Sequence, residues 1–187
     1  MRKIYIKSKL KKNALFLDRD GVINKDAPGK YIKSLKDIKI YPSAIKGLRK
    51  IDSKKYHLII ITNQSAVGRG YIDIEMAFKI NDFIVNELKR NNIRINAIYF
   101  CPHSPWDNCE CRKPKTGLIK EALQDFDIII KDSFLVGDKK SDMEMAKKAG
   151  IKSIFVLTGQ AKSQFKKYGV INSDYKLKDL RAINKIL

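Results

Sequence analysis

The sequence predicts an α/β protein, a three-layer α/β/α Rossmann-like arrangement around a parallel sheet, on three observations. Short apolar runs at 14–17, 59–61, 97–100, 134–136 and 154–156 alternate with segments whose apolar residues recur at helical spacing. Runs so uniformly apolar suit strands buried on both faces, as parallel strands are. Several end in polar residues, Asp18, Thr62 and Gly137-Asp138 among them, where open α/β sheets bind their ligands.

Taken in order, residues 1–13 form an extension in which 4–6 can add a short edge strand. The strand at 14–17 leads into Asp18-Arg19-Asp20-Gly21, then a polar loop, 24–31, whose Pro28 and Gly29 are turn signals. Pro42-Ser43 starts a helix, with Ser43 as its expected N-cap and Ile45, Leu48 and Ile51 on its apolar face. His57 begins the next buried strand and has no second ligand nearby in sequence. After the turn Gly68-Arg69-Gly70, residues 73–91 carry Met76, Ala77, Ile80, Phe83, Ile84 and Leu88 at helical spacing, a core-packing stripe. Thr116 opens a helix bearing Leu118, Ile119, Ala122 and Leu123, and 139–149 is a helix stopped by Gly150. Residues 158–170 read as a polar connection and 177–183 as a short terminal helix face. Repeats, linkers and large insertions are absent from the pattern, so a single domain over 1–187 is expected, with its core at about 13–160 and little or no cap.

Composition narrows the class. With 187 residues and 44% hydrophobic content the chain can bury one sizeable core. Its formal charge of +19, from 39 Lys+Arg against 20 Asp+Glu, is spread along the whole chain without a basic block interleaved with aromatics. That favours small anionic substrates over nucleic acid. Nowhere is there an apolar run long enough to span a bilayer, and 1–12 lack the apolar centre of a signal peptide. A cytoplasmic monomer with no membrane partner is the expectation.

Asp18 and Asp20, at the end of a buried strand, are costly to place without a cation. Cys101, His103, Cys109 and Cys111 form Cys-x-His-x5-Cys-x-Cys, a closed set of three thiolates and an imidazole that fits a structural Zn²⁺ site with no open position. All three cysteines of the chain lie in this 101–111 loop, which argues for metal and against disulfides. The loop delivers Arg112 and Lys113 directly after it.

The ordered set Asp18-Arg19-Asp20-Gly21, Thr62-Asn63-Gln64, Arg112-Lys113-Pro114 and Gly137-Asp138-Lys139 resembles the haloacid dehalogenase superfamily. More narrowly, it is similar to the heptose-bisphosphate and histidinol-phosphate phosphatase branch. The resemblance covers roughly 13–160 and implies Mg²⁺-dependent hydrolysis of a phosphomonoester through an aspartyl-phosphate. It implies Asp18 as nucleophile and Asp20 as general acid and base, a role that needs Asp20 partly protonated beside Asp18. It also implies Thr62 and Lys113 on the phosphoryl group, and Mg²⁺ held by Asp18, Asp138 and the Asp20 carbonyl. Arg19, Asn63, Gln64, Arg69, Arg112 and Lys139 become candidate substrate contacts. Asp142, one turn beyond Asp138, is either near the metal or an exposed helix residue. The Arg69 turn favours a sugar bisphosphate, D-glycero-D-manno-heptose 1,7-bisphosphate, whose second phosphate needs extra cations. The five-residue gap before Cys109 keeps histidinol phosphate as an alternative, and the net charge keeps a polynucleotide 3′-phosphatase as another. A zinc-stabilised binding module is the reading of a different class, but it would not require Asp18, Asp20, Thr62, Lys113 and Asp138 together. The 24–31 loop departs from the family's tight form around Ala27-Pro28-Gly29.

Overall fold

A computed structural model of the chain describes residues 1–26 and 28–187; the expected departure at Ala27 lies outside the described residues. Strands β1 (Arg2–Ile4), β2 (Asn13–Leu17), β3 (Tyr56–Asn63), β4 (Ala97–Cys101), β5 (Phe134–Gly137), β6 (Lys152–Val156) and β7 (Tyr175–Leu177) form one sheet. Its order is β1-β4-β3-β2-β5-β6-β7, and every pairing is parallel except β1 with β4. The helices are α1 (Pro42–Leu48), α2 (Ser65–Gly68), α3 (Ile74–Arg90), α4 (Gly117–Asp125), α5 (Lys140–Ala149) and α6 (Ala161–Tyr168).

Strand alternation divides the core into two layers of side chains. Leu15 and Leu17 of β2, with Leu58 and Ile60 of β3, face one side, where they pack with Ala44 and Leu48 of α1 and Ile80, Ile84 and Leu88 of α3. Ala14 and Phe16, with Ile59 and Ile61, face the other side and meet Leu118 and Ala122 of α4, Met145 and Ala146 of α5 and Ala161 of α6. The apolar runs are continuous in sequence because both faces are covered.

Local chemistry sets the helix ends. The Asp73 side chain accepts a 2.6 Å bond from Met76 N, capping α3. Gly150 ends α5 at φ +67°, a left-handed conformation that glycine adopts without a Cβ penalty. Ser43 is not the cap of α1. Pro42 occupies the first helical position behind Tyr41, where its missing N–H costs nothing.

Two further expectations are corrected. Residues 158–170 are not a plain connection but contain α6, a helix whose buried contact is little more than Ala161 with Phe165 packed behind it. The chain end is not one helix face: β7 extends the sheet beside β6, and a 3-10 turn, Leu180–Lys185, inserts Leu180 and Ile183 under α1. Gly47 of α1 admits that turn, since a Cβ there would strike the Leu180 carbonyl.

β2 is the switch point of the sheet, with β3 and β4 on one side and β5 and β6 on the other. The crevice beyond its carboxyl end lies between the segments that follow β2 and β5.

Candidate active site

The polar residues that end β2, β3 and β5 meet in that crevice. Asp18 follows β2 and is 3% exposed, Thr62 lies one residue before the end of β3, and Asp138 follows β5 with no exposure at all. A cavity of about 1050 Å³ opens above them, lined by Asp18, Asp20, Thr62, Asn63, Gln64, Arg69, Arg112, Lys113 and Lys139 among others. Lys25, Lys30, Lys36 and Lys39 add positive charge to its rim.

Lys113 is buried to the same degree as Asp18 and reaches it from the end of the cysteine-rich loop. Its Nζ lies 2.9 Å from Asp18 Oδ1 and 2.6 Å from Asp142 Oδ1, and donates to the Ile61 carbonyl at 3.2 Å. The Lys113 N–H also donates to Asn63 Oδ1, and Asn63 Nδ2 returns a bond to the Lys113 carbonyl, so β3 fixes this lysine at the backbone. Burial alone would lower its pKa, but Asp142 and Asp18 raise it above the ordinary lysine value.

Asp142 is therefore not an exposed helix residue. It is fully buried, and its Oδ2 accepts from Lys139 N at the start of α5. Gly137 makes room for it, because a Cβ at that position would collide with the Asp142 carboxyl.

Asp18, Asp138 and Asp142 each offer a carboxylate oxygen within 4.8 Å of the others. Asp138 Oδ2 accepts from Gln160 N at 2.6 Å, while Oδ1 has no hydrogen-bond partner among the described residues. Burial pushes its pKa up to about 8 despite Lys139, and the charges of Asp18 and Asp142 add to the rise. Gly21, at φ +99°, and Gly159, at φ +55°, pack against this carboxyl so closely that a Cβ on either would overlap it. A buried, all-oxygen donor set with one unsatisfied oxygen suits a hard divalent cation.

Asp20 is held differently. Arg19, 1% exposed, lies beneath it and grips it with a two-pronged pair, Nε to Oδ1 at 3.0 Å and Nη2 to Oδ2 at 2.7 Å. The same guanidinium donates to Asn81 Oδ1 and Gln64 Oε1, both at 2.7 Å. Gln64 Nε2 in turn donates to Asp20 Oδ2 and Thr62 Oγ1. Arg19 thus sits outside the cavity lining, in contrast to its expected place against substrate. Burial raises the Asp20 pKa, but the charge and hydrogen bonds of Arg19 outweigh it and hold the carboxyl below its usual range. That direction runs against a partly protonated Asp20. Asn81 was missed in the sequence, although a lone amide inside the apolar stripe of α3 is the signal that reveals it.

Lys139 Nζ lies 2.9 Å from Asp26 Oδ2 and 3.9 Å from Asp138 Oδ1. Asp26 also accepts from Gln160 Nε2, which ties the loop after β2 to the start of α6. Arg112 lines the cavity and donates from Nη1 to the His103 carbonyl at 3.2 Å.

The cysteine-rich loop closes on itself. Cys101 Sγ lies 3.5 Å from Cys109 Sγ and 3.6 Å from His103 Nδ1; Cys111 Sγ lies 3.3 Å from His103 Nδ1 and 3.6 Å from Cys109 Sγ. Ligands about 2.0–2.3 Å from one tetrahedral metal ion would be separated by about 3.3–3.8 Å. The four groups could hold such an ion, and no disulfide joins them.

A family model described as HAD-hydrolase-like matches residues 110–183. Among curated proteins, the chain is 46% identical over 135 residues to a probable D-glycero-D-manno-heptose-1,7-bisphosphate 7-phosphatase of Thermoplasma volcanium, covering 72% of this chain and 91% of that protein. It is 38% identical over 176 residues to a D-glycero-alpha-D-manno-heptose-1,7-bisphosphate 7-phosphatase of Campylobacter jejuni, covering 91% of this chain and 100% of that one. Among solved structures, the D,D-heptose 1,7-bisphosphate phosphatase of B. bronchiseptica, complexed with magnesium and phosphate, superposes with a TM-score of 0.84 at 28% identity, over 93% of this chain and 97% of that chain. With its acidic switch-point crevice and buried lysine, the chain belongs to the HAD-like hydrolases, in the family of the D-glycero-D-manno-heptose-1,7-bisphosphate 7-phosphatases, and is a phosphatase.

Proposed function

We propose that the chain removes the 7-phosphate of D-glycero-D-manno-heptose 1,7-bisphosphate, with Asp18 as the nucleophile. The observation that carries this reading is the Asp18–Lys113–Asp142 array beside Asp138 at the sheet's switch point. Its lysine binds Oδ1 of Asp18 and leaves the other carboxylate oxygen to attack phosphorus. Lys113 then neutralises charge on the transferring phosphoryl, and Thr62, oriented by Gln64, donates to its oxygens.

Asp20 protonates the leaving alkoxide and later takes a proton from the hydrolytic water. Arg19 lowers its proton affinity in the free protein, so Asp20 takes up a proton from solvent as substrate binds, when the negative charge of the phosphate nearby raises that affinity. Asp18 and Asp138, with the carbonyl of Asp20, would hold Mg²⁺, which when bound supplies charge neutralisation to the phosphoryl oxygens. Cys101, His103, Cys109 and Cys111 would hold Zn²⁺ as a structural ion.

The bisphosphate is favoured by the cations that line the cavity, Arg69 and Arg112 together with Lys139 beside Asp138, and by the family to which the chain belongs. A cytoplasmic site of action accords with a cluster of reduced thiols. We read the chain as one domain acting as a monomer. The test is Mg²⁺-dependent phosphate release from heptose 1,7-bisphosphate, histidinol phosphate, fructose 1,6-bisphosphate and a 3′-phosphorylated oligonucleotide. Preference for the heptose bisphosphate supports the reading. Preference for another member of the panel overturns the substrate and keeps the chemistry.

A further inference from the structure

Arg69 follows α2 and lines the cavity, and its buried Nε has no hydrogen-bond partner among the described residues. The guanidinium is held by aromatic faces instead. Its Cζ lies 4.6 Å from the ring centroid of Trp106 and 5.7 Å from that of Tyr31, and Tyr31 meets Tyr71 edge-on at 5.1 Å. Cation–π contacts occupy the faces of the rings and leave the guanidinium N–H groups able to donate to an anion. Trp106, the chain's one tryptophan, is 66% exposed.

The backbone explains why these groups meet. Gln64 N donates to the Cys101 carbonyl at 2.7 Å, and Gly68 N donates to the Pro102 carbonyl at 2.8 Å. Gly68 lies against the backbone of His103 and Ser104 so closely that a Cβ would overlap it. Helix α2 is therefore seated on the cysteine-rich loop, and the tip of the same loop supplies Trp106.

We propose that Trp106 is a positioning residue that fixes Arg69 as the anchor for the non-reacting anionic end of the substrate. Through it the cysteine-rich loop governs recognition of the substrate's far phosphate as well as the placement of Lys113. This inference rests on the phosphatase reading of the cavity.

The test compares wild type with Trp106→Ala and Trp106→Phe on heptose 1,7-bisphosphate and on p-nitrophenyl phosphate, which has no second anion. The ratio of kcat/KM for the bisphosphate to that for p-nitrophenyl phosphate falls roughly three- to thirtyfold in Trp106→Ala, mainly through KM, the range set by a cation–π contact. Trp106→Phe recovers part of it. In the Asp18→Asn protein, which binds without turnover, the bisphosphate changes the emission of Trp106, and adding Arg69→Met removes that response. An unchanged ratio, an equal loss on both substrates, or no emission response overturns the proposal. Hydrolysis of both substrates by wild type keeps the phosphatase reading separate from that failure, and the emission measurement decides the proposal even without turnover.

Discussion

Replacing Lys113 with methionine keeps most of the buried methylene stem and deletes the charge that two carboxylates share. Asp18 and Asp142, 2.9 and 2.6 Å from the Nζ, would remain buried with no cation between them. Breaking a buried pair this way costs about 3–5 kcal/mol, because the stranded charge keeps its desolvation penalty. For a chain of this size that corresponds to a fall in Tm of roughly 6–20 °C. Neutralising one stranded partner should return part of the loss, so Lys113→Met/Asp142→Asn should melt above Lys113→Met, a coupling that a double-mutant cycle measures. Thermal unfolding in EDTA and in excess Mg²⁺ is the assay, and the deficit should be largest in EDTA. A fall of less than about 2 °C in EDTA, or a double variant no more stable than the single one, would refute the reasoning that Lys113 is the charge that stabilises this acidic crevice.

Other perturbations test neighbouring parts of the site. Asp138 has a folded pKa raised to about 8, above its unfolded value. Its contribution to the metal-free protein is therefore complete at acid pH and is lost as pH rises towards 8. A cation needs the ionised carboxylate, so the gain in Tm on adding Mg²⁺ should grow from pH 6 to 8.5; a gain independent of pH would contradict this. Gly159→Ala would drive a Cβ into the Asp138 carboxyl and the Gly21 Cα from a left-handed backbone. We expect it to destabilise by about 2 kcal/mol or more and to lower Mg²⁺ affinity, read by calorimetry and thermal unfolding. Arg19→Met removes the fork on Asp20. Turnover of alkyl phosphates, which need a proton on the leaving oxygen, should fall more than turnover of p-nitrophenyl phosphate, and an equal loss on both would count against the positioning of Asp20. Metal analysis should find about one zinc ion per chain, released by Cys109→Ser together with loss of affinity for the bisphosphate; metal-free protein with full affinity would contradict a structural ion.

Much of this site was legible because the sheet's own chemistry advertises it. An apolar run long enough only for a buried strand, ending in Asp18, Thr62 or Asp138, marks a carboxyl end facing the crevice, and the closed ligand set of the 101–111 loop is readable by residue type alone. What the sequence concealed depends on tertiary approach. Asp142 shows the spacing of any helix residue, and only the gap left by Gly137 and the reach of Lys113 bury it. Arg19 reads as a cation beside a phosphate site, but Asn81 and Gln64 draw it inward beneath Asp20. Helix α6 is only eight residues long and rich in lysine, so its apolar stripe is no more than Ala161, Phe165 and Tyr168 and does not stand out from a polar connection. Tyr175 to Leu177 are mostly exposed on a sheet edge, so no continuous apolar run announces β7. The contact of Trp106 with Arg69 joins two loops that the sequence separates by more than thirty residues.

The central claim is that Asp18 carries the phosphoryl group, and acid-quenched single-turnover hydrolysis of substrate labelled in the 7-phosphate tests it most directly. The wild-type protein should pass through a transient protein-bound label that maps to the peptide containing Asp18, and Asp20→Asn, slow to hydrolyse the intermediate, should accumulate label on the same peptide from p-nitrophenyl phosphate labelled in its phosphoryl group. Asp18→Asn should show neither label nor phosphate release. Release of phosphate by Asp18→Asn at the wild-type rate, or label mapped to any other residue, would contradict the account.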